Sequence, residues 1–112
     1  MTTICDRILA VDKRIGFAML VDDQGQIVES KMRGELLMPK EDIAAFAGTW
    51  TSVMGGVSQQ MQKYFGNHFG LSMYYDKVNV HGLPVGDRNL VITARKDLPL
   101  EIVLSLKKIA EA

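Results

Sequence analysis

Two histidines, one cysteine and a scatter of carboxylates are the groups in this 112-residue chain best suited to chemistry. His68 and His81 have no sequence-adjacent acid or nucleophile, and as metal ligands they would need distant carboxylates at no characteristic spacing. Both are expected to be surface or half-buried polar residues. Cys5 stands alone, which excludes an internal disulfide and a multi-cysteine zinc site. It is expected to act as a small apolar residue on the buried side of a first helix. Asp22-Asp23 could suggest a cation loop, but the twelve-residue calcium pattern with its terminal Glu is missing, so a turn is the reading. Neither glycine-rich phosphate loop occurs, and Gly55-Gly56 has no Lys beside it. No catalytic residue, metal ligand or cofactor is therefore assigned. Asp87-Arg88-Asn89 is the best polar cluster for touching a partner, against the plainer reading of a solvated turn.

The bulk composition points the same way. A chain of this length builds one domain, here residues 1–112, around one core. Thirteen basic and thirteen acidic residues cancel. That leaves no electrostatic footprint for nucleic acid or an anionic membrane, and little self-repulsion to oppose association. The N-terminus lacks the basic start and apolar run of a signal peptide. With one cysteine, a reducing cytoplasmic setting is the simplest expectation.

The elements that must position these residues follow from periodicity. Thr3 and Asp6 open a short helix with Ile4, Cys5, Ile8, Leu9 and Val11 on its apolar face. Residues 16–21 make an apolar strand, and the turn Asp22-Asp23-Gln24-Gly25 leads to a more polar strand over 26–30. The first should be central and the second an edge. A connector over 34–40 precedes a long helix. Then come strands over 71–75 and 78–81, a reversal over 82–89, a strand over 90–94 and a final helix opened by Asp97-Leu98-Pro99. With no βαβ alternation, the strands argue for an α+β fold on one antiparallel sheet.

The long helix, residues 41–65, carries no charge from Ile43 to Gln62. Ile43, Phe46, Ala47, Trp50, Val53, Met54, Val57, Met61, Tyr64 and Phe65 share one arc and are expected to lie on the sheet, continuously across Gly55-Gly56. The opposite side holds Ala45, Gly48, Ser52, Gly55, Gly56 and Gln59. A helix facing water puts Lys and Glu there, so this face too is expected to be covered. The helix is too rich in Gly, Ser, Thr and Gln to span a bilayer.

The run Gly16 to Ser30, the Ala- and Gly-rich long helix, and Met73-Tyr74-Tyr75-Asp76-Lys77-Val78-Asn79-Val80 leading to Leu90-Val91-Ile92 resemble the roadblock/dynein light chain family, within the roadblock–longin–profilin-like group. The resemblance spans the chain, although Trp50 and Gly55-Gly56 depart from the family's Ala/Leu-rich helix. It implies an α/β sandwich: a five-stranded antiparallel sheet of order 2-1-5-4-3, the long helix on one face and the terminal helices on the other. It also implies dimers joined through the third strand, Leu71, Ser72, Met73, Tyr74 and Tyr75, and through the long helix at Ala45, Gly48, Ser52, Gly55 and Gln59. The partners so implied are a second copy or a paralogous roadblock-like subunit, and a small Ras-like GTPase; nucleic acid and membrane insertion are not expected. A non-catalytic adaptor or scaffold is the leading function. The alternative is a sensory domain of profilin- or PAS-like layout, with a small-ligand pocket around Trp50.

Overall fold

The computed structural model describes residues 2–34 and 38–112, with the side chains of 57–59 outside the described set. Gln59 and Val57 therefore lie outside it as side chains, as does part of the connector before the long helix.

Helix α1 spans Ile4–Val11, and Thr3 caps it reciprocally with Asp6, the hydroxyl and the carboxylate each accepting from the other residue's N–H. The Cys5 N–H, another unpaired donor of the first turn, donates to the Glu29 carboxylate at 2.7 Å and ties the helix to the sheet. Strand β1 spans Ile15–Val21 and β2 Ile27–Met32. Their turn is held by Asp22, whose carboxylate accepts from the N–H of Gln24 and Gln26, while Gly25 supplies a φ of 81°.

A 3-10 turn over Lys40–Asp42 leads into α2, Ile43–Phe65, which is unbroken across Gly55-Gly56. Strands β3 (Leu71–Tyr74), β4 (Asn79–Val85) and β5 (Arg88–Ala94) follow, then α3 over Leu100–Glu111. The expected reversal over 82–89 is shorter than the sequence suggests. Strand β4 runs on through Gly82, Leu83, Pro84 and Val85, and Gly86-Asp87 alone make the turn, with Gly86 at φ 63°. Pro84 is tolerated because β3 pairs no further than Gly82, so β4 has no neighbour on that side at Pro84.

The sheet order is β2-β1-β5-β4-β3, antiparallel throughout, so β1 is flanked on both sides and β2 and β3 are the edges. One face carries Ala18, Leu20, Leu90 and Ile92 against Cys5, Ile8, Val103 and Leu106 of α1 and α3. The other carries Phe17, Met19, Val80 and Val91 against Ile43, Ala47, Trp50 and Met54 of α2. Cys5 is fully buried, and its thiol is pushed up to about 12 by burial first and then by the neighbouring Glu29 carboxylate, so it stays a protonated core residue.

Candidate interaction surface

Helix α2 is buried only where there is sheet beneath it. Trp50 and Met54 close over Gly82 of β4, so close that a side chain there would meet Met54 Sδ and Trp50 Cζ3 at 3.4 Å. After Met54 no described residue of the helix is buried. The remaining eleven residues extend about 16 Å at helical rise, past the last covered strand. Met61, Tyr64 and Phe65 continue the apolar phase of Trp50 and Met54 but have no sheet to meet. They are exposed, Phe65 at 82% and Tyr64 at 69%, and Val53 is partly so. The expectation that Val53, Met61, Tyr64 and Phe65 pack on the sheet is thus corrected, and Phe46 is only half-buried. Sequence phase places a residue on a face of the helix; it carries no information on where the sheet stops.

From the end of α2 the chain returns through residues 66–70 to β3. It pairs with β4 on one side only, leaving the backbone of its other side without a strand. Leu71 and Met73 turn to the α2 face of the sheet, opposite Gly82 and Val80, while Ser72 and Tyr74 turn to the other, opposite His81 and Asn79. Leu71 and Ser72 are half-buried; Met73, Tyr74 and Tyr75 are exposed, as is Phe69 just before the strand. The exposed aromatic residues are Tyr64 and Phe65 at the end of α2, Phe69 in the link, Tyr74 on β3 facing away from the α2 side, and Tyr75 after it; Met61 and Met73 are exposed as well. A cavity of about 280 Å³ opens between Met61, Phe65 and Phe69. Scattered exposed apolar residues are ordinary; exposed Met61, Phe65 and Phe69 gathered around one cavity are less so.

The other helix positions behave differently from one another. Ala45 and Ser52 are exposed, and Gly55 is half-buried with open space where a side chain would project. Gly48 leans on its own chain, its Cα within 3.5 Å of where a side chain on Gly25 would begin. Asp87 and Arg88 are exposed and Asn89 half-buried at the β4–β5 turn, at the end of the sheet that also holds the Asp22–Gly25 turn. They do not line the cavity between Met61, Phe65 and Phe69.

His81 is a second correction. It is 3% exposed, with the Ser72 hydroxyl 2.6 Å from Nδ1 and Tyr74 edge-on at 6.3 Å, and its Nε2 has no partner among the described residues. Burial lowers its pKa below 6.5, favouring the neutral ring. Alternation in β4 puts His81 on the face that α3 covers, which the clean period of Val78 to His81 could have signalled. His68 is half-buried, its Nε2 3.0 Å from the Gly70 carbonyl oxygen. Among the described residues, no three or more His, Cys, Asp or Glu side chains gather where they could hold a metal, and no helix is long and apolar enough to cross a membrane. Trp50 is 4% exposed, and neither principal cavity is lined by it.

Solved structures match this arrangement over nearly its whole length. Myxococcus xanthus MglB superimposes with a TM-score of 0.78 at 21% identity, covering 96% of this chain and 86% of that one. The fold is that of the roadblock/LC7 domain. A Roadblock/LC7 domain from Streptomyces avermitilis aligns with a TM-score of 0.75 at 8% identity, over 98% of this chain and 92% of its own. The gliding protein MglB from Thermus thermophilus gives 0.71 at 14% identity, over 99% and 87%. No protein-family model matches the sequence, and no curated protein matches it significantly. At 8–21% identity these structures share the fold with this chain.

Proposed function

We propose that this chain is a non-catalytic association module that pairs through β3 and the overhanging half of α2, and that the resulting dimer serves as an adaptor. The observations that carry this are β3 at the edge of the sheet and the exposed Tyr64 and Phe65 at the end of α2, with Phe69 in the link between them. Two copies related by a two-fold axis satisfy both at once: β3 pairs with its equivalent and the sheets become continuous, while the α2 ends cover one another. Ala45, Ser52 and Gly55 then line the approach of the helices, where small side chains favour close contact.

The class of partner follows from the roadblock resemblance rather than from any residue: a small Ras-like GTPase resting on the joined platform, or a paralogous roadblock subunit in place of the second copy. The fold shared with the MglB structures supports that direction. The compartment consistent with a single, protonated cysteine is the cytoplasm.

The pairing is tested by cross-linking. The native thiol is buried, so a cysteine introduced by Ser72→Cys or Met73→Cys is the only accessible one. Near a two-fold axis such a cysteine lies within bridging distance of a cysteine on the partner strand. Mild oxidation is expected to give a covalent dimer from at least one of these variants, and none from Ser105→Cys on α3. Equal cross-linking at all three positions, or none at β3, would contradict the seam.

A further inference from the structure

Away from the β3 edge, at the start of β1 and the end of β5, a half-open cavity of about 170 Å³ enters the layer between sheet and α2. Its walls are apolar where Phe17, Met38, Ile43 and Val78 meet. Lys13, Arg14, Arg33 and Arg95 also line it, brought from the α1–β1 link, the end of β2 and the end of β5. For a chain of zero net charge this is a concentrated positive field.

Among the described residues, the nearby negative charge offsets only part of it. Arg14 is held by Asp12 at 2.8 Å and reaches Asp97 at 3.8 Å, and Asp97 is largely solvated. The Asp12 carboxyl is held below the usual carboxylate range by Arg14 first, and Arg33 adds to the effect. Lys13, Arg33 and Arg95 form no ion pair among the described residues. Arg33 is moreover fixed: its Nε donates to the Ile15 carbonyl at 3.1 Å and an Nη to the Leu9 carbonyl. Carbonyl oxygens orient a guanidinium without cancelling its charge, so the ordering of this long side chain precedes any ligand.

We propose that this cavity is a binding site for a small amphiphilic anion, its carboxylate or phosphate head held by Lys13, Arg33 and Arg95 and its short hydrocarbon body lying on Phe17, Met38, Ile43 and Val78. The volume admits about ten waters, small for a drug-sized ligand but enough for a chain of a few carbons. The Thr93 hydroxyl beside the rim offers a further hydrogen bond. None of these residues belongs to the β3 edge or the α2 overhang, so the site can be filled with the association surface free or covered.

Titration of the full ¹⁵N-labelled chain with hexyl phosphate, followed by amide chemical shifts, tests this. Saturable shifts are expected at Gly16, Phe17, Thr93 and Arg95. Inorganic phosphate, which lacks the apolar body, is expected to bind about tenfold more weakly or worse. The double variant Lys13→Glu/Arg95→Glu alters two exposed side chains and should keep the native spectrum while weakening hexyl phosphate about tenfold. Hexanoate distinguishes the head groups, and saturable binding of either supports the site. Equal affinity for inorganic and hexyl phosphate, unchanged affinity in the double variant, or shifts confined to the Phe65–Tyr74 region would each overturn it.

Discussion

His81 and Gly55 show how single residues report on different parts of this molecule. His81 is buried, so its folded-state pKa lies below the 6.5 of an unfolded chain. Between those two values the unfolded state binds the extra proton. Stability therefore rises with pH across that window and is lost as pH falls below about 6.5. Asp6 and Asp12, both lowered by their hydrogen bonds, lose their contribution only as pH falls below the ordinary 3.8, a separate and more acidic window. Urea midpoints measured from pH 7 to pH 5 should fall for the wild type and stay nearly level for His81→Gln. Gly55 tests the opposite quality, open space. A methyl group there meets nothing within 4 Å among the described residues of its own chain. Gly55→Ala should therefore stabilise the isolated chain by about 0.5–1 kcal/mol through helix propensity. Gly55→Glu should dissociate the dimer, and the pair of measurements, urea midpoint and mass, separates the helix effect from the interface effect.

At the scale of elements, α2 falls into two parts: a first half whose Ile43, Ala47, Trp50 and Met54 belong to the core, and a second half in which no described side chain is buried after Met54. Phe65→Glu replaces an 82% exposed ring and should leave the unfolding free energy of the monomer within about 0.5 kcal/mol. Self-association should weaken by about 2 kcal/mol or more, as for a central aromatic in an interface. A large loss of monomer stability with unchanged association would mean that the ring packs within its own chain. The difference between the halves marks the boundary of what sequence reveals here. The strand and helix order, the central place of β1, the polar edge at β2 and the continuity of α2 were legible because each rests on local periodicity and turn chemistry. The overhang was not, since Met61 and Trp50 share a helical phase and only the tertiary position of β4 tells them apart. Extension of β4 through Pro84 was hidden for a similar reason: Gly82 and Pro84 are ordinary turn signals, and only the short reach of β3 makes a strand there acceptable.

For the molecule as a whole, no three or more His, Cys, Asp or Glu side chains gather among the described residues where they could hold a metal, and the two proposed surfaces are announced by no short motif. The basic cavity is assembled from Lys13, Arg33 and Arg95, residues far apart in the chain that meet only once β1, β2 and β5 are paired. The association surface is assembled from β3 and the end of α2 by the same sheet. The neutral helix face was visible as an absence of charge; Met61, Tyr64 and Phe65 keep the helical phase of Trp50 and Met54 but lie beyond the stretch that is buried. We propose that a second copy of this chain covers this surface. Sedimentation equilibrium of the purified wild-type chain beside Phe65→Glu measures it most directly. At tens of micromolar the wild type should sediment at twice the 12.4 kDa of one chain and the variant at 12.4 kDa. A wild type that remains at 12.4 kDa across that range would contradict the account.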